Sequence, residues 1–203
     1  MSHHHPQHRF DPAKAQKLLD PKWRLIDNPV SLVQKMGIKQ GLHVVDLGCG
    51  AGFFTKAILE TVGRDGRVAA VELQKPVLEF FHQHVEQCPN LEVIEADICQ
   101  TGLESGLWDV TFIAFTLHEV KVADALQEIS RILKPGGILI ALEWGNIEPC
   151  PKRDGERPVG PAEDHRLLSP ALLHQLDETG FTTINQEERL GGCQYWVIAQ
   201  SGK

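Results

Sequence analysis

Val44-Val45-Asp46-Leu47-Gly48-Cys49-Gly50-Ala51-Gly52 is the stretch on which the reading of this chain turns. A short apolar run carries an acid near its end and passes straight into glycines at every second position. Apolar residues in an unbroken run suit a strand covered on both faces. Glycines directly after it let the backbone turn sharply and approach a ligand with no Cβ in the way. Phe54, Ala57, Ile58 and Val62 then recur at helical spacing, and Gly63 stops them. A glycine loop between a strand and a helix lies where open α/β sheets bind their ligands, beyond the carboxyl ends of the strands.

Outward from that loop the same alternation repeats. Residues 67–73 form a second strand, and Val77, Leu78, Phe81 and Val85 mark a helix ended by Pro89. Residues 91–96 and 108–115 read as the third and fourth strands. Val122, Ala125, Leu126, Ile129 and Leu133 mark a further helix, closed by Lys134-Pro135-Gly136-Gly137, and 138–144 form a fifth strand. Strands alternating with helices imply a doubly wound α/β fold, a parallel sheet with helices on both faces. Residues 146–168 break the rhythm with Pro149, Pro151, Pro158 and Pro161 and no clear period, as in a functional lid or an insertion. Ser169-Pro170 supply an N-cap and a first-turn proline for a helix carrying Leu172, Leu173 and Leu176. Residues 181–190 and 194–200 pair as an antiparallel hairpin around Gly191-Gly192. Ahead of the glycine loop, 11–36 reads as two short amphipathic helices interrupted by Pro12, Pro21 and Pro29. The expected organisation is a tail and helical cover over 1–40 and a single domain over 41–203.

Composition narrows the class. The chain of 203 residues has 42% hydrophobic and 23% charged residues, ordinary globular usage, and a net charge of −7. That charge argues against a general nucleic-acid or anionic-membrane surface. No apolar run is long enough to span a bilayer and no leader opens the chain, so a cytoplasmic protein without a membrane span is expected. Cys49, Cys88, Cys99, Cys150 and Cys193 are odd in number and widely spread, which reads as reduced thiols with no metal site. His3, His4, His5 and His8 crowd the amino terminus and are given no functional role.

Two further carboxylates stand where a nucleoside needs them. Glu72 ends the second strand, where it would accept ribose hydroxyls. Asp97 closes the third strand, where its carboxylate would take an adenine amino group while the Ile98 amide donates to the ring; a turn or cap residue is the plainer account of it. A nicotinamide dinucleotide competes for the same loop. Its fingerprint wants a third glycine where Phe53 stands, and it needs helix amides aimed at a pyrophosphate.

Together, the run 44–52, Glu72, Glu95-Ala96-Asp97-Ile98 and Arg131-Ile132-Leu133-Lys134-Pro135-Gly136-Gly137 resemble the signatures of class I S-adenosylmethionine-dependent methyltransferases. The resemblance covers roughly 41–144. It implies a Rossmann-like, seven-stranded, mostly parallel sheet whose last strand is antiparallel. It also implies S-adenosylmethionine as cofactor, contacted by Asp46, Gly48, Gly50, Glu72, Asp97 and Ile98. Their neighbours Cys49 and Leu73, with Phe115 along the ligand, complete the expected donor site. A looser likeness in His8-Arg9-Phe10-Asp11, Leu117-His118-Glu119-Val120 and the Gly160-Pro161 to Arg166 segment points to a bacterial small-molecule branch related to quinone biosynthesis. The motif of nucleic-acid amino-methylating enzymes is absent after the fourth strand, where Phe115-Thr116-Leu117-His118 stands.

Methyl transfer from a sulfonium asks a protein mainly for positioning, plus a base if the nucleophile carries a proton. His118, with Glu119 beside it, is the candidate base, since imidazole titrates near neutrality. The alternatives are that His118 bonds locally and Glu119 caps the next helix. Glu143 and Trp144 end the fifth strand at the same crevice, where Trp144 would stack on a substrate or simply pack. Asp164, His165 and Arg166 are read as substrate-side lid residues, with a solvated loop as the alternative. The expected partner is a small-molecule acceptor. A nicotinamide-dependent oxidoreductase and a non-catalytic cofactor-binding subunit stay open as competing functions.

Overall fold

The computed structural model describes residues 11–153, 155 and 157–203. The histidines of the amino terminus and the His8-Arg9-Phe10 part of the resemblance lie outside the described residues. The cover begins with a 3-10 helix, Pro12–Leu19, followed by α1 (Pro21–Arg24) and α2 (Pro29–Lys35). Each opens on a proline in its first turn, with the preceding side chain as cap: Asp11 accepts from the Ala13 amide, Asp20 from Lys22 and Asn28 from Ser31. The cover therefore has three short helices where two were expected. A proline behind an Asp or Asn starts a helix here instead of breaking one.

The remaining elements are β1 (His43–Leu47), α3 (Phe53–Val62), β2 (Arg67–Glu72), α4 (Lys75–His84), β3 (Leu91–Glu95), β4 (Trp108–Ala114), α5 (Val122–Ile132) and β5 (Leu133–Trp144). A short hairpin follows, β6 (Lys152–Arg153) with β7 (Arg157–Pro158), then α6 (Ser169–Glu178), β8 (Phe181–Arg189) and β9 (Gln194–Ser201). The main sheet has seven strands in the order β3-β2-β1-β4-β5-β9-β8. Neighbours from β3 through β5 are parallel, and β9 runs antiparallel to both β5 and β8. This is the doubly wound sheet with an antiparallel last strand that the resemblance implied.

Alternating side chains go to opposite faces. Val45, Leu47, Ile113 and Ala141 pack under α5 and α6 through Leu126, Ile129, Leu172 and Leu176. Val44, Val68, Phe112 and Leu142 pack under α2 and α3 through Val33, Phe54, Ala57 and Ile58. Because both faces are covered, all five parallel strands must end in one place, and their carboxyl tips form a common edge.

Three local expectations change. β5 starts at Leu133, not Ile138: Trp108 pairs with Leu133 and Val110 with Ile138, so 134–137 loop out as an irregularity within the strand. Ser169 is the first residue of α6 and not its cap, and its hydroxyl accepts from Gln186 Nε2 at 2.6 Å. The thiols are not all reduced, for Cys150 and Cys193 form a disulfide across 43 residues while Cys49, Cys88 and Cys99 are free. Pairing of β5 with β9 explains this last difference. The Gly145 amide donates to the Cys193 carbonyl at 2.8 Å, and a turn from Ile147 to Cys150 brings the second cysteine back alongside. Among the described residues no helix is long and apolar enough to cross a membrane.

Candidate active site

A cavity of about 460 Å³ opens at the shared strand edge, within the usual range for small-molecule and cofactor sites. Its wall draws on every parallel strand: Gly48 and Gly50 after β1, Glu72 and Leu73 at β2, Asp97 and Ile98 after β3, Phe115 after β4, and Trp144 at the end of β5. His118 and Glu119, in the short helical turn Leu117–Glu119, complete it on the β4 side. The predicted residues Asp46, Cys49, Asp164, His165 and Arg166 do not line the cavity.

The glycine loop is held from below. The Gly48 and Cys49 amides donate to the Val71 carbonyl at 2.8 and 3.0 Å, which ties the loop to β2. A Cβ at Gly48 would stand 2.6 Å from the Thr116 side chain, with φ at +69°, so the close approach demands glycine. Glu72 is tied to the same loop. One carboxylate oxygen accepts from the Gly50 amide at 3.1 Å and the other from the Gln74 amide at 2.9 Å, and burial raises its pKa. Asp97 accepts from the Cys99 amide at 2.8 Å, so it is both a turn residue and a cavity residue.

Asp46 lies beneath the loop, nearly inaccessible, and accepts the Thr55 hydroxyl at 2.6 Å. Burial pushes its pKa up to about 6, against the pull of Thr55 and of the Arg24 charge. Cys49 turns away toward Leu78 and Phe81, and burial carries its thiol well above the ordinary range. A Cβ on Gly52 would meet Val85 at 2.2 Å, and neither Gly52 nor Phe53 lines the cavity, so the first residues of α3 that a pyrophosphate would use are not part of its wall. That geometry disfavours the dinucleotide alternative.

On the opposite wall, Phe115 and Trp144 stack at 4.7 Å between ring centroids, tilted by 31°. Phe115 holds φ at +56°, an uncommon conformation for a bulky residue that aims its ring across the β5 tip. His118 Nδ1 lies 2.9 Å from Glu143 Oε2, and Glu143 is fully buried at the end of β5. The other imidazole nitrogen lies 3.9 Å from Glu119. Burial favours the neutral ring, yet the charge and hydrogen bond of Glu143, aided by Glu119, raise the His118 pKa above its ordinary value. Burial pushes Glu119 up to about 7, with His118 pulling it down and Glu143 pushing it further up.

The insertion contributes Gly160 and Pro161 to the wall. Arg166 holds them in place from behind. It is buried and donates to the carbonyls of Pro161 at 3.1 Å, Gly145 at 3.0 Å and Val159 at 2.7 Å. Asp164 and His165 lie on the neighbouring turn Glu163–His165, away from the cavity. The sequence reading expected a helical cover but gave it no part in the site: Lys14, Lys17, Leu18, Trp23 and Arg24 all line the cavity. Their only linear signal was amphipathic spacing, which does not say what a helix covers. Among the described residues no cluster of metal-binding side chains occurs.

Residues 45–141 match the family described as "Methyltransferase domain". A demethylmenaquinone methyltransferase of Staphylococcus aureus is 30% identical over 113 residues, which are 55% of this chain and 47% of the relative. The matched stretch thus spans about half the length of that curated relative. The crystal structure of an S-adenosylmethionine-dependent methyltransferase from Aquifex aeolicus superposes with a TM-score of 0.82 at 27% identity, covering 95% of this chain and 99% of that one. One from Mesorhizobium loti shares the fold, with a TM-score of 0.65 at 20% identity over 84% of this chain and 95% of its own. Sheet order, glycine loop and these likenesses give the chain the fold of the class I S-adenosylmethionine-dependent methyltransferases, with a methyltransferase domain matched over residues 45–141.

The described residues fit this cofactor. The cavity accommodates a nucleoside with an amino-acid tail, the glycine loop offers backbone without Cβ atoms, and no phosphate cradle is presented.

Proposed function

We propose that the chain methylates a small aromatic acceptor bearing an acidic hydroxyl or C–H, with His118 as the base that removes its proton. The observation that carries this reading is the His118–Glu143 contact of 2.9 Å at the cavity wall. Nδ1 donating to the buried carboxylate would hold the imidazole in one orientation and leave the Nε2 lone pair, beside Glu119, to accept the proton. Glu143 also stabilises the imidazolium that forms, so it is a positioning residue. Phe115 and Trp144 supply a flat apolar wall suited to an aromatic ring. The likeness to a demethylmenaquinone methyltransferase supports an acceptor of that kind.

On the donor side, Glu72 would take the ribose hydroxyls, and Asp97 with the Ile98 amide the adenine edge. The backbone at Gly48 and Gly50 would line the methionine end. S-adenosylmethionine, when bound, supplies a methyl carbon already activated by its sulfonium. The protein's share is to align the acceptor with that carbon, exclude water behind Gly160-Pro161 and Trp144, and receive one proton at His118. A small molecule is favoured over a nucleic acid by the net charge of −7. Cytoplasmic residence belongs to the same reading, and in a reducing compartment Cys150 and Cys193 would stand open.

The test is a screen of phenolic and quinol compounds that reads out S-adenosylhomocysteine release, with the wild type and His118→Ala side by side. The variant is expected to lose roughly 10²- to 10⁴-fold in turnover with an acceptor found this way while keeping its affinity for S-adenosylhomocysteine. Equal turnover by the two proteins would remove His118 from the chemistry, and a response confined to aliphatic amines would remove the aromatic acceptor.

A further inference from the structure

Arg24 has no task in the chemistry above. It sits on α1 in the cover, yet only 8% of it is exposed, and it forms part of the cavity wall. Its Nε donates to the Leu18 carbonyl at 2.9 Å. The guanidinium lies 5.2, 5.5 and 5.8 Å from the ring centroids of Phe53, Phe54 and Phe115. The flat cation is therefore held by aromatic faces and one carbonyl. Among the described residues neither terminal nitrogen makes a hydrogen bond, and no carboxylate forms an ion pair with it. Nη2 stands 4.0 Å from the place a Cβ on Gly50 would occupy, which puts it over the glycine loop.

A buried guanidinium with N–H groups to spare calls for an anion, and its fork matches a carboxylate through two parallel hydrogen bonds. The donor offers one such group. Its nucleoside is neutral, its sulfonium and ammonium are cations, and its α-carboxylate alone is an anion. The other cations of this wall are differently engaged: Lys14 pairs with Asp11 at 3.1 Å, and Lys17 lies over the Trp23 ring.

We propose that Arg24 binds the α-carboxylate of the donor's amino-acid end, which makes the N-terminal cover part of the donor site. The inference rests on the donor reading above.

The test is calorimetry with two ligands, S-adenosylhomocysteine and 5′-methylthioadenosine, which share a nucleoside and a thioether while only the first has the amino-acid end. Arg24→Met is expected to weaken S-adenosylhomocysteine about 10- to 100-fold and to change 5′-methylthioadenosine by less than about threefold. Arg24→Lys keeps the charge and loses the fork, so it is expected to fall between the two and serves if the methionine variant does not fold. Equal losses for both ligands in either variant would mean Arg24 only supports the cavity, and unchanged preference between them would overturn the proposal. A wild type that binds neither ligand would instead sink the donor reading itself.

Discussion

At the scale of single residues, the site is organised by charges that water does not reach. Glu143 has no solvent exposure and spends one oxygen on His118, so its charge is felt by the ring almost undiluted. A base must be neutral to act, so the role proposed for His118 predicts turnover that rises as pH climbs through its raised pKa, above the ordinary value near 6.5. Glu143→Gln keeps the shape and removes the charge. It should move that rise to lower pH and cut the plateau about tenfold or more, as read from a pH–rate profile. A profile that does not move would mean Glu143 has no hold on the base. The same raised pKa gives the folded state a tighter grip on the proton. Its stabilisation is complete below the unfolded value near 6.5 and fades as pH climbs through the folded one.

At the scale of elements, the insertion is fastened twice, by the Arg166 side chain and by the disulfide from Cys150 to Cys193. A crosslink across 43 residues restricts the unfolded chain by about 4 kcal/mol in the chain-entropy account. Cys150→Ser should therefore lower stability by about 2–4 kcal/mol, and thiol reductant should lower the melting temperature of the wild type and not of the variant. Identical melting with and without reductant would deny the bond any structural weight. Neither fastening was legible in the sequence. The cysteines meet only because β9 returns antiparallel beside β5, and pairing between distant strands leaves no local spacing to read. The helix ends with strong local chemistry were legible, as at Gly63 with φ at +66°. So were the strand tips bearing Glu72 and Asp97, because an acid closing an apolar run is a local pattern. The bulge at 134–137 was not, since Pro-Gly-Gly reads as a stop whether the chain turns or loops out of a strand.

For the whole molecule, the glycine loop, Glu72 and Asp97 disclosed one side of the cavity because each closes a strand in a successive strand-loop-helix unit, a pattern read locally. The rest of the wall is built from pieces far apart in the chain: the cover, the β4 and β5 tips, and the insertion. Arg24 illustrates the difference, since nothing within α1 reveals that its side chain ends against Phe53 and Phe115. A ligand that binds only the folded state stabilises all of it. S-adenosylhomocysteine at about 100 times its dissociation constant should add about 2.7 kcal/mol, a rise in melting temperature of roughly 5–10 °C for a domain of this size. NAD at matched concentration should leave the transition where it was, and a rise with NAD alone would reverse the choice of cofactor.

Lys14, Lys17 and Trp23 on one side and Gly160-Pro161 on the other close over a chamber whose floor the strands lay down. Such roofing can be rewritten during divergence without disturbing the foundations. Exchanging these two segments is accordingly the direct engineering route to changing what the chamber admits.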